Sequence, residues 1–282
     1  MTEQDKFKFQ MVYLVPILAS LIFGLGCAYL LLPQQSEVIP VAPFPENTPS
    51  GPFGNAFYFV ILLAVAATVF YILIKRRSKR IIKGIITVAM TTASLLLSMI
   101  YLSAVFAYFP SWSILVIPLS IAITIMFDIV IFRLGSIARN TAVICVGGAL
   151  GIFFGFSIPL YSAVLILAFL AVYDVIAVYR GPVGKIAQSS GLDELQGLSF
   201  SFKDIQMGLG DLVFYSMLTG VMLFTFLPNI LPYIMSVIGI LVGSIITFFM
   251  LERKGIFPGL PFPIMLGLAG GLITGLLIIP LL

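Results

Sequence analysis

Apolar residues fill nine long runs of this chain, each separated from the next by a short polar or proline-rich stretch. The runs are Met11–Leu32, Phe57–Ile74, Gly84–Tyr108, Ile114–Phe132, Thr141–Phe156, Leu160–Tyr179, Ile205–Leu227, Ile230–Leu251 and about Leu260 to Leu282. A helix rises ~1.5 Å per residue, so roughly 20 apolar residues cross a ~30 Å hydrocarbon core. The pattern predicts an all-α polytopic membrane protein with nine transmembrane helices. No polar block is long enough for a soluble domain, so residues 1–282 read as one membrane domain. Its parts are spans one to six within 1–179, a polar loop over 180–204, and spans seven to nine within 205–282. The first run is too long, and lacks a small-residue cleavage site, to read as a removable signal peptide.

The intervening stretches sharpen this picture. Prolines at 33, 40, 43, 45, 49 and 52 forbid a helix through residues 33–56. That stretch reads as a flexible connector, with a lid over a site entrance as the other reading. Gly147-x3-Gly151-x3-Gly155, Gly239-x3-Gly243 and Gly267-x3-Gly271-x3-Gly275 follow the small-xxx-small pattern of closely packed helices, expected here to pack within the chain.

Composition agrees: 61% of residues are apolar and 9% charged, against about 25% charged in soluble domains. The net charge of +4 does not point to nucleic acid, because the bases lie between apolar runs. All 15 Lys and Arg residues fall on one side of the nine-span arrangement. The positive-inside rule then puts the N-terminus and the 180–204 loop in the cytoplasm and the C-terminus outside. Cys27 and Cys145 each lie inside an apolar run and read as two buried thiols. The chain has no histidine. That removes the HExxH zinc proteases and any serine hydrolase with a histidine base. The lysines all lie in loops or flanks, which argues against a Ser-Lys pair. Hydrolytic chemistry would have to run on carboxylates, with no metal and no cofactor.

Three carboxylates stand inside the runs, and two of them carry the argument: Asp174 in span six, after Tyr173, and Asp211 in span seven, after Gly208-Leu209-Gly210. A charge at such a position costs roughly 2.5–3.5 kcal/mol on insertion scales, so an intramembrane carboxylate points to function. Asp174 lies six residues before Arg180, and Asp211 six residues after Ile205. Both therefore sit ~9 Å deep on antiparallel helices and can share a site. Two carboxylates in contact do not ionise together comfortably, so such a pair holds one proton near neutral pH. The ionised member takes a proton from a bound water while the protonated member donates to a carbonyl oxygen. Gly208 and Gly210 remove side chains beside Asp211, which lets a neighbouring helix or a substrate backbone approach. Asp128, in span four, reads as a structural ion pair with Arg133 or Arg139.

Tyr173-Asp174, then Gly208-Leu209-Gly210-Asp211, then Pro258-Gly259-Leu260-Pro261 before the last run, resembles the presenilin and signal peptide peptidase family of GxGD intramembrane aspartyl proteases. The family pattern is YD in span six, GxGD in span seven and PAL at the start of span nine. Without extra domains, the chain looks like a compact archaeal-type member. The resemblance implies an aspartic endopeptidase that cleaves transmembrane helices of substrates in the bilayer of the cell membrane. It implies Asp174 and Asp211 as catalytic residues, supported by Tyr173, Gly208, Leu209 and Gly210. It also implies that the segment Pro258, Gly259, Leu260 and Pro261 shapes the site and helps bind substrate. Gly259 departs from the pattern, replacing alanine with the loss of one methyl and no polar group, so the role is expected to be retained. Activity is expected without an obligate accessory subunit, alone or as a homo-oligomer. The rival from another class is a proton- or cation-coupled transporter or channel, since paired intramembrane carboxylates also mark ion pathways. Such folds usually carry internal repeats, and no convincing repeat relates the two halves. Prepilin peptidases share the GxGD motif, but their cytoplasmic cysteine pairs are missing. A catalytically silent scaffold is the remaining alternative.

Overall fold

The structure is a computed structural model that describes residues 8–37, 41–76, 78–180, 199–202 and 205–278. Among these residues there are nine α-helices: α1 (Val15–Leu31), α2 (Gly51–Lys75), α3 (Lys79–Phe106), α4 (Val116–Arg133), α5 (Ser136–Ser157), α6 (Leu160–Tyr179), α7 (Leu209–Thr225), α8 (Leu231–Lys254) and α9 (Pro261–Ile278). Two short strands, β1 (Ser199–Phe202) and β2 (Ile205–Gly208), pair antiparallel, with Ser199 opposite Gly208. Seven helices, α1 to α6 and α8, are long and apolar enough to cross a membrane, while α7 and α9 are shorter. The expected all-helical, multi-span architecture is therefore present.

The helix starts depart from the apolar runs for identifiable reasons. Helix α2 begins at Gly51, ahead of the expected Phe57, with Pro52 in its first turn. A proline there lacks only an N–H that has no helical partner anyway. Helix α3 begins at Lys79 and takes in Arg80 and Lys83, whose long stems lie along a helix while their charges reach water. Helix α7 begins later than expected, at Leu209 rather than Ile205. Ile205–Gly208 is apolar enough to continue a span, but its backbone pairs with β1 instead. Gly208 and Gly210 weaken a helix at that point by roughly 1 kcal/mol each. Asp211 therefore lies in the first turn of α7 and not six residues inside it.

Helix α7 is the centre of the packing. Leu212, Val213, Tyr215, Ser216, Met217, Leu218, Val221 and Met222 are all buried, which leaves it no free face. Helix α5 packs against it through the glycine stripe: a Cβ on Gly155 would lie 2.7 Å from the Met217 carbonyl and 2.9 Å from Gly220 Cα. Gly239 and Gly243 on α8 meet the backbone of α9 at Leu266, Phe262 and Pro263 in the same way. The small-residue stripes thus pack within the chain, as expected. Cys27 is buried, Cys145 is half-buried, and both are free thiols.

From residue 41 on, the proline-rich stretch after α1 is tied to the start of α6. The side chain of Asn55 accepts from the Phe44 amide at 2.9 Å and donates to the Phe44 carbonyl at 3.0 Å and to Ser162 Oγ at 2.9 Å. Glu46 Oε1 accepts from the Tyr161 amide at 2.8 Å and the Ser162 amide at 3.2 Å. It satisfies two of the unpaired donors at the start of α6. Asp174 lies fourteen residues further along α6, or about 20 Å at 1.5 Å per residue. The described part of this stretch therefore does not cover the carboxylates. The polar loop expected over 180–204 lies mostly outside the described residues; of its length, Arg180 and β1 are described.

The glycine packing predicts a sharp contrast between positions. Gly151 would bring a Cβ against the Val213 carbonyl and Met217 amide of α7, whereas Gly84 on α3 has nothing within 4 Å. Gly151→Leu is expected to destabilise by at least about 2 kcal/mol. Gly84→Ala should be neutral or stabilise by up to about 1 kcal/mol. Unfolding titrations in detergent micelles check this, and equal effects at the two positions would refute the packing described.

Candidate active site

Three helix ends meet at the candidate site. The C-terminal part of α6 carries Asp174, the first turn of α7 carries Asp211, and the segment Pro258-Gly259-Leu260 leads into α9 at Pro261. Both prolines lack an amide hydrogen, so only Gly259 and Leu260 can donate from this tetrapeptide. Leu260 opens α9, its carbonyl accepting the Ile264 amide at 3.0 Å. Its own amide has no helical acceptor and donates to Asp174 Oδ2 at 2.9 Å.

Asp211 approaches the same segment from the other helix. A Cβ built on Gly259 would lie 2.9 Å from Asp211 Oδ2 and 3.3 Å from its carboxyl carbon. The two carboxylates thus flank one dipeptide. Asp211 also lies where the helix dipole of α7 favours a negative group. The glycine at 259 has a physical reason: its missing methyl is the space in which the Asp211 carboxylate rests.

The other residues singled out from sequence divide. Leu209 is buried at the start of α7 and packs over Gly147 of α5, where a Cβ would come within 3.2 Å of Leu209 Cδ1. Gly208 and Gly210 do not serve a close helix approach. Both are exposed, and a Cβ on either would find nothing nearer than 3.7 Å. Gly208 has φ −69° and ψ 143°, an extended conformation open to any residue. These glycines leave open space beside Asp211, and no element of the described chain fills it. Tyr173 is half-buried beside Asp174, with no hydrogen bond to the Pro258–Pro261 segment among the described residues.

Two results were not expected. The Asp128 carboxylate accepts from Thr91 Oγ1 at 2.8 Å, in place of an ion pair with Arg133 or Arg139. The hydroxyl on the adjacent helix was the nearer partner, and helical spacing within one span could not reveal it. Tyr215, read as one more apolar position of span seven, donates its hydroxyl to the Gly259 carbonyl at 2.9 Å. Its position one turn after Asp211 was the only available signal. No group of three or more His, Cys, Asp or Glu among the described residues could hold a metal ion.

Solved structures share this arrangement of helices. Two crystal forms of a presenilin family intramembrane aspartate protease, in space groups C222 and P2, superpose with TM-scores of 0.66 each. The first is 20% identical and covers 94% of this chain and 98% of that one. The second is 19% identical, with 96% and 100% covered. At this identity the likeness shows the fold. No curated protein matches in sequence. A model of the family described as signal-peptide peptidase, presenilin aspartyl protease matches residues 21–196, a stretch that includes Tyr173-Asp174 and stops before Gly208. That match takes in more than half of the sequence, and with it the chain belongs to the signal-peptide peptidase, presenilin aspartyl protease family.

Proposed function

We propose that this membrane protein hydrolyses peptide bonds within transmembrane helices of other membrane proteins, using Asp174 and Asp211 as one acid–base pair. The observation that carries the reading is the placement of both carboxylates against the single Gly259-Leu260 dipeptide, at the meeting point of three helix ends. In the first step the ionised carboxylate removes a proton from water, and the water oxygen bonds to the carbonyl carbon. The protonated carboxyl gives its proton to the carbonyl oxygen. The tetrahedral diol then collapses: the C–N bond breaks, one carboxyl gives its proton to the leaving nitrogen, and a hydroxyl of the diol gives its proton to the other carboxylate, which restores the single proton of the pair. The proton belongs to the pair, so neither residue is assigned a fixed role.

A substrate helix must open before its peptide bond can be attacked. The open space beside Gly208 and Gly210 supports a role in admitting an extended substrate backbone, and β2 ends on that space. Family membership favours this reading over an ion pathway. The preferred substrates have their N-terminus outside and are cut in the cytoplasmic half of the span. The reading places the protein in the cell membrane with its N-terminus cytoplasmic, and active without accessory subunits.

Chain purified to homogeneity should cleave a membrane-span peptide in detergent. Asp174→Asn and Asp211→Asn should each lower that activity by at least about a thousandfold while leaving the fold intact. Asp128→Asn should retain activity, because an amide oxygen still accepts from Thr91. Turnover in either of the first two variants would remove that residue from the pair. Topology is tested separately, in a background with Cys27 and Cys145 replaced by Ala. A cysteine placed within residues 34–50 should react with an impermeant thiol reagent on intact cells, and one within 186–200 should not. The opposite labelling pattern would refute the orientation.

A further inference from the structure

One hydrogen bond of Tyr215 and one of Asp174 end on the same peptide group. Tyr215 is 2% exposed on α7, and its hydroxyl donates to the carbonyl of Gly259 at 2.9 Å. Asp174 on α6 accepts from the amide of Leu260 at 2.9 Å. That carbonyl and that amide are the two ends of the Gly259–Leu260 peptide bond. A peptide unit is a rigid plane, so anchoring its oxygen also aims its N–H. A donor on the carbonyl further polarises the N–H at the other end. The Asp211 carboxylate occupies the place beside the Gly259 α-carbon where a Cβ would stand. One peptide group is therefore bonded to Asp174 and borders Asp211, and the Tyr215 hydroxyl donates to its oxygen.

We infer that Tyr215 is a positioning residue for the aspartate pair: by anchoring the Gly259–Leu260 peptide it sets the resting place of the Asp174 carboxylate relative to Asp211. The inference rests on the proposed catalytic role of the two aspartates. Reactive groups must be held to within about 0.5 Å, and a 1 Å misplacement costs about a hundredfold in rate. The plainer role for a buried tyrosine is to satisfy a buried carbonyl. That role predicts lost stability with unchanged turnover per folded molecule, whereas a positioning role predicts a lower kcat at unchanged KM.

The test uses the purified full-length chain and a membrane-span peptide, with rates normalised to folded protein. Tyr215→Phe should lower kcat by about tenfold or more, with KM changed by less than about twofold. Tyr215→4-aminophenylalanine, which restores a para donor, should recover kcat to within about threefold of the parent. A Phe variant with kcat within about twofold of the parent overturns the inference, and so does an aminophenylalanine variant as slow as the Phe variant. Isotope-edited infrared on Gly259 needs no Phe variant. With a ¹³C-labelled carbonyl there, the amide band should move in Asp174→Ala, because the two bonds share one peptide, and an unmoved band overturns the coupling. Asp174→Asn is assayed alongside. Its full activity would refute the aspartate reading itself, whereas an inactive Asp174→Asn beside a fully active Tyr215→Phe refutes the positioning role alone.

Discussion

Helix α7 is packed on all faces beyond its first turn and is shorter than a hydrocarbon core is thick. Its 17 residues span ~25 Å, less than the ~30 Å of a hydrocarbon core. The shortfall lies at its N-terminus, where the chain arrives as strand β2 and not as helix. Helix α9 has 18 residues and begins at Pro261, beside the same point. Non-helical backbone at membrane depth is tolerated only where protein covers it or a polar cavity adjoins it. The late start of α7 beside the start of α9 creates such a place, and Asp211 and the Pro258-Gly259-Leu260 segment lie in it.

Glycine serves opposite ends in this molecule. On α5, Gly151 and Gly155 let backbone meet backbone and Gly147 admits the Leu209 and Leu212 side chains, which holds the buried α7 by close packing. At Gly208 and Gly210 nothing comes close, and the omitted side chains leave a gap. At Gly259 the omitted methyl is the seat of a carboxylate. The tyrosine hydroxyl, the dipeptide and the two aspartates then form a continuous set of contacts across α6, α7 and the start of α9.

Much of this was legible in the sequence. Nine apolar runs became nine helices because, in lipid, length and hydrophobicity leave the backbone few choices. Asp174 and Asp211 stood out because charge is so rare in such runs. The hairpin was hidden: Ile205 and Met207 are as apolar as the helix they precede, so the run reads as one continuous span. Tyr215 was hidden because an aromatic residue on a buried helix looks like core until its hydroxyl partner is seen. Asp128 was misassigned because charge pairing was sought along the chain, while its partner, Thr91, came from the neighbouring helix. The glycines of the GxGD stretch read as making space for a neighbouring helix or a substrate backbone, and no helix of the described chain enters that space.

The central claim is that Asp174 and Asp211 act as one site on one substrate. The most direct measurement is the affinity of a membrane-span peptide carrying a hydroxyethylene group at the cleavage position, a mimic of the tetrahedral intermediate. It is measured for the parent chain, Asp174→Asn, Asp211→Asn and the double variant. If the residues work as a unit, each single substitution should cost about as much affinity as both together, since groups that act jointly are strongly non-additive. Losses that add in the double variant, or a single substitution that costs nothing, would contradict the account.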